Sequence, residues 1–88
     1  MTTITILSKE ECHLCDHAKE VVERLTEEFQ LELEVVPMTT PEGQELAVRA
    51  GMLFPPAVLV DGQPYSYGRL SEGRLRRELR RRRIATRA

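Results

Sequence analysis

The sequence predicts an α/β fold in the order βαβαββα, one four-stranded mixed sheet with helices on both faces. Three observations carry that expectation. A β-branched opening run gives way within a few residues to apolar positions at helical spacing. An alternating segment then follows and is stopped by Pro37. Further on, the wholly apolar run Ala57-Val58-Leu59-Val60 leads directly into Asp61-Gly62, the signature of a tight hairpin.

The elements follow in order. Residues 2–7 read as a strand, and Leu14, Ala18, Val21, Val22, Leu25 and Phe29 then recur three and four apart on one helix face. Residues 31–36, Leu-Glu-Leu-Glu-Val-Val, alternate as a strand with one buried face does. The helical crossover between these two strands makes them parallel. Thr40 caps a short helix that begins at Pro41, carries Leu46, Ala47 and Ala50, and ends at Gly51. Residues 57–60 form the third strand and residues 63–67 the fourth, with its two tyrosines expected to pack across the hairpin. Ser71 with Glu72 opens the last helix, whose face is Leu75 and Leu79, with Leu70 and Ile84 extending it.

A chain of 88 residues is expected to form a single domain spanning 1–88. Its N-terminal stretch lacks a basic region, and no apolar run approaches membrane-spanning length. A cytoplasmic monomer without membrane contact is expected. In that compartment two closely spaced cysteines point to redox turnover or metal binding rather than stapling. The net charge of −1 hides polarity: residues 1–68 hold 12 acids and 4 bases, whereas residues 69–88 hold 2 acids and 9 arginines. The Arg-rich C-terminal helix end, 80–88, reads as a solvated face whose cations meet the helix dipole and an acidic body. It is expected to add little to a core that Leu75 and Leu79 close. Nucleic acid is disfavoured as a partner because no aromatic residue interleaves Arg80 to Arg83.

Cys12-His13-Leu14-Cys15 sits where the first strand gives way to the first helix. The free N–H groups and positive dipole end of a helix stabilise a thiolate, so Cys12 is the candidate nucleophile. Cys15, one turn on and more buried, is the candidate resolving thiol. Lys9 and a cationic His13 would lower the Cys12 pKa, while Glu10, Glu11 and Asp16 oppose them. A different reading takes Cys12, His13, Cys15 and His17 as soft ligands for Zn²⁺, Cu⁺ or an iron–sulfur cluster. Adjacent side chains on a helix diverge, which aims His13 poorly for that role.

With these features together, the chain resembles the glutaredoxin-like branch of the thioredoxin fold over nearly its whole length. The match is carried by Ser8-Lys9-Glu10-Glu11-Cys12-His13-Leu14-Cys15, by Phe54-Pro55-Pro56-Ala57-Val58-Leu59-Val60-Asp61-Gly62, and by Gly68 before a final helix. The resemblance implies a thiol-disulfide oxidoreductase in cell redox homeostasis, with Cys12 and Cys15 catalytic and no resident cofactor or metal. It implies that Pro56 is a cis proline lying against the CxxC motif. It also implies a substrate groove at Lys9, His13, Pro55, Pro56 and Gly68, with Lys9 contacting the glutathione carboxylate. Partners implied are a disulfide-bearing protein or small molecule and a cellular thiol reductant, of which glutathione is one. Two positions depart from the family pattern. Pro55 has no N–H to donate to glutathione. The stretch Ser66-Tyr67-Gly68-Arg69-Leu70-Ser71-Glu72 has neither the Gly-Gly nor the paired aspartates.

Overall fold

β1 (Thr2–Ser8), α1 (His13–Thr26), β2 (Leu31–Pro37), α2 (Pro41–Ala50), β3 (Ala57–Val60), β4 (Gln63–Tyr67) and α3 (Glu72–Arg81) follow one another in the computed structural model, which describes residues 1–87. The sheet order is β2-β1-β3-β4. β1 runs parallel to β2, with Thr2 opposite Leu31 and Ser8 opposite Pro37, and antiparallel to β3, with Leu7 opposite Ala57. The α/β order and the mixed sheet are those expected from the sequence.

The pleat divides the apolar residues between two faces. Ile4, Ile6, Leu31, Val58 and Val60 pack against Ala18, Val21, Val22 and Leu25 of α1 and Leu75 and Leu79 of α3. Leu7, Val36, Ala57 and Leu59 point the other way, to Leu46, Ala47 and Ala50 of α2. Each fully buried Leu, Ile or Val on either face contributes up to about 1.5–3 kcal/mol, measured against an extended chain. Local chemistry sets the helix ends. The Thr40 hydroxyl accepts from the Gly43 N–H at 3.0 Å and the Ser71 hydroxyl from the Arg74 N–H at 3.3 Å. Gly51, at φ +63°, turns the chain out of α2. No helix among the described residues is long and apolar enough to cross a membrane.

Two expectations about chain ends are corrected. α1 stops at Thr26, so Phe29 lies beyond the helix rather than on its face, although it is fully buried. α3 stops at Arg81 instead of running through 80–88. Arg83 adopts φ +58°, Ile84 packs on the core, and Thr86 pairs with Phe29 as an antiparallel bridge. The Gln30 N–H donates to the Ala85 carbonyl at 2.8 Å and the Arg87 N–H to the Glu28 carbonyl at 2.9 Å. The Arg87 guanidinium donates to the Thr26 carbonyl. The physical reason is that the end of α1 leaves backbone groups without helical partners, and the returning chain satisfies them. Residues 82–87 are therefore a clasp, not a solvated helix end. Ala88 lies outside the described residues.

The arginines of α3 do face an acidic body. Arg76 bridges Glu28 at 2.9 Å and Glu72 at 3.1 Å, Arg24 meets Glu72, and Arg80 meets Glu28. Arg81 and Arg82 both hold Glu78, each at 2.6 Å. The hydrogen bond from Arg76 holds Glu28 below the usual carboxylate range. That from Arg24 does the same to Glu72, and Arg81 with Arg82 lowers Glu78 from 4.5 to about 2. A carboxyl depressed in the folded state stabilises above its unfolded pKa and loses that contribution as pH falls through the folded one. Thermal stability is thus expected to be level from neutral pH to about 5 and to decline between about 4.5 and 2. Circular-dichroism melts in that window check this, and a Glu78→Gln protein that declines just as steeply would contradict it.

Candidate active site

Ser8 ends β1, and Lys9, Glu10 and Glu11 carry the chain into α1. Glu11 sits at φ +52°, in the left-handed region, and Cys12 returns to extended backbone at φ −125°, ψ 103° as the N-cap of the helix. Its Sγ accepts a hydrogen bond from the Cys15 N–H at 3.1 Å. The nucleophile expected from the sequence therefore lies over a free N–H of the first turn, where a thiolate is stabilised. Cys12 is half-buried, whereas Cys15 is fully buried. The two are joined as a disulfide, with Cα atoms 5.2 Å apart.

The sheet brings a second segment to the same end. Because Ala57 opens β3 opposite Leu7, the preceding Pro56 stands beside the point where β1 turns toward Cys12. The Pro55–Pro56 peptide bond is cis, with Pro56 buried and Pro55 half-buried. Tyr67 ends β4 opposite Ala57, and the next residue, Gly68, donates its N–H to the Pro56 carbonyl at 2.8 Å. Gly68 is held at φ +79° with the Phe54 ring against it: a Cβ there would lie 2.6 Å from that ring. Glycine is required for conformation, and a side chain in its place would displace the Phe54 ring.

Phe54 had no role assigned from the sequence, and Tyr67 was expected only to pack across the hairpin. Phe54 is 51% exposed and meets Tyr67 edge to face, centroids 5.3 Å apart. Tyr65 packs on the core as expected of a hairpin tyrosine, but Tyr67 turns to Phe54. The only signal in the sequence was an aromatic residue immediately before Pro55-Pro56. His17 is half-buried, and its Nε2 lies 3.2 Å from the Leu70 carbonyl oxygen, bracing α1 against the turn into α3.

Lys9 and His13 are both exposed. Lys9 lines a groove of about 700 Å³ with Glu10, Glu11, Asp16, Lys19 and Val35, on the β2 side of the loop. Pro55, Pro56 and Gly68 lie on the β3–β4 side, so the structure does not gather all the expected groove residues into one pocket. Nor does it assemble the soft-ligand set: no group of three or more His, Cys, Asp or Glu among the described residues is placed to hold a metal ion.

Comparison with known proteins bears on this arrangement. The model of a family described as Glutaredoxin-like domain matches residues 3–80. A search of curated proteins finds no match. Among solved structures, glutaredoxin 1 from Francisella tularensis, complexed with cacodylate, is similar at a TM-score of 0.58 and 12% identity, covering 93% of this chain and 99% of that one. At such identity the likeness speaks to the fold alone.

Proposed function

Since this chain belongs to the glutaredoxin-like domain family, we propose that it is a dithiol–disulfide oxidoreductase in which Cys12 attacks and Cys15 resolves. The observation that carries the reading is the bond between a half-buried, helix-capping Cys12 and a fully buried Cys15. That state is the product of one turnover.

The steps follow from the geometry. The Cys12 thiolate attacks one sulfur of a substrate disulfide, forming a mixed disulfide and expelling the other sulfur as a thiolate that takes up a proton. Cys15, deprotonated, then attacks the Cys12 sulfur, forming the Cys12–Cys15 bond and releasing the second substrate thiol. The substrate has gained two electrons, and a thiol reductant of the cytoplasm restores them. Cys15 is shielded from solvent, so the incoming disulfide meets Cys12 first. The Pro55, Pro56 and Gly68 segment receives the substrate backbone, with Lys9 on the opposite flank of Cys12. Glutathione fits this site poorly. Pro55 has no N–H to offer, and one such hydrogen bond is worth roughly 0.5–1.5 kcal/mol, a several-fold change in affinity.

Cys15→Ser protein, reduced and mixed with a peptide disulfide, is expected to accumulate an adduct on Cys12 that mass spectrometry locates. An adduct forming on Cys15 in Cys12→Ser protein at a comparable rate would reverse the assignment. In the same assay a glutathione mixed disulfide is expected to react several-fold more slowly than a matched peptide disulfide, and equal rates would restore glutathione as a substrate.

A further inference from the structure

β4 is the last strand of the sheet, with a neighbour on one side only. Between it and the start of α3 runs a groove of about 360 Å³, with Tyr65, Ser66 and Tyr67 on the strand side and Arg69, Leu70 and Arg74 on the other. Its two charged residues are both arginines. Both are exposed, and among the described residues neither makes an ion pair; Arg49, Arg77 and Arg83 make none either but do not line a groove with each other. The Ser66 hydroxyl is buried in the groove wall with no hydrogen-bond partner. One end of the groove opens at Tyr67, the residue before Gly68, and so at the same end of the sheet as Cys12. The opposite flank of the thiols is different in charge: Glu10, Glu11 and Asp16 stand there against Lys9 and Lys19.

We propose that this groove docks an acidic, extended segment of the disulfide-bearing protein substrate, its carboxylates on Arg69 and Arg74. The inference rests on the oxidoreductase reading and names the substrate class for it. Guanidinium groups pair with carboxylates through two parallel hydrogen bonds, and unpaired ones beside a groove select for that partner. The acid-bearing flank on the other side repels the same segment, so the charges orient the substrate as well as hold it. Strand addition is not the mode of capture. Pro64, and the register shift that leaves Tyr65 as an extra residue on β4 between Pro64 and Ser66, interrupt the free edge. A nucleic-acid strand is disfavoured, because Arg80, Arg81 and Arg82 are engaged in ion pairs with Glu28 and Glu78 and the tyrosine rings are engaged with the core and Phe54.

The test uses two synthetic peptides that share one intramolecular disulfide and differ in flanks of three glutamates or three lysines. Binding to the oxidised protein is followed by fluorescence anisotropy. Single-turnover reduction by the pre-reduced protein is followed by mass spectrometry. The Glu-flanked peptide is expected to bind and react about fivefold better than the Lys-flanked one at low salt, with the difference shrinking at high salt. Arg69→Gln/Arg74→Gln protein is expected to lose that preference while reducing 2-hydroxyethyl disulfide at the wild-type rate. Equal binding of the two peptides, or a preference that survives the double substitution, overturns the proposal. So does a single-stranded oligodeoxynucleotide that displaces the Glu-flanked peptide at equimolar concentration. Arginine-dependent binding without reduction of any disulfide would uphold the docking site and overturn the oxidoreductase reading instead.

Discussion

Cys12→Ser protein is expected to reduce disulfides no faster than protein-free solution, with its secondary structure unchanged. The substitution removes the only accessible thiol, since the other cysteine, Cys15, is fully buried. It leaves the helix its cap. In the native chain the Cys12 Sγ accepts from the Cys15 N–H, and a serine hydroxyl is among the preferred groups for that position. Loss of activity in Cys12→Ser therefore reports chemistry rather than unfolding. Cys12→Ala gives the complementary result, losing activity and, against reduced Cys12→Ser, about 1 kcal/mol of stability. Thiol release from a peptide disulfide and denaturant melts of the reduced proteins check both, and residual turnover in Cys12→Ser would move the nucleophile elsewhere.

The second large effect is structural. Phe29→Ala is expected to cost about 3–5 kcal/mol, the range for truncating a large buried aromatic side chain. Phe29 is fully buried between the end of α1 and the clasp that pairs it with Thr86, so its loss opens a cavity where two chain segments meet. With domain stabilities of about 5–15 kcal/mol, such a loss removes a large share of the total. Val48, 83% exposed on α2, supplies the contrast, and Val48→Ala is expected to stay within about 0.5 kcal/mol of wild type. Urea titrations of the two proteins settle the comparison. A cost below about 1 kcal/mol for Phe29→Ala would mean that the clasp does not hold that corner.

Much of this fold is legible in the sequence because local chemistry writes it. Thr40, Ser71 and Gly51 cap helices for reasons contained within four residues, and Asp61-Gly62 turns a hairpin by its own backbone preference. The parallel pairing of β1 and β2 follows from their connection. Of the site, the Cys12 cap and the buried Cys15 are legible from helix-end physics. What escapes is long range or against propensity. The return of 83–86 to Phe29 depends on contacts more than 50 residues apart in the chain and on a left-handed arginine, which no local pattern announces. The seating of Phe54 on Gly68 needs both segments placed before either residue shows its role.

Leu75, Leu79 and Ile84 complete the α1 side of the core, and all three lie near the end of the chain. A ribosome adding roughly 5–20 residues per second places Leu79 roughly 3–11 s after Leu25. During that interval Ile4, Ile6, Val21 and Val22 have no α3 to cover them, and until residues 57–60 follow, β1 has one unpaired edge. The newborn chain thus holds Cys12 and Cys15 on a half-built, sticky sheet before it can close.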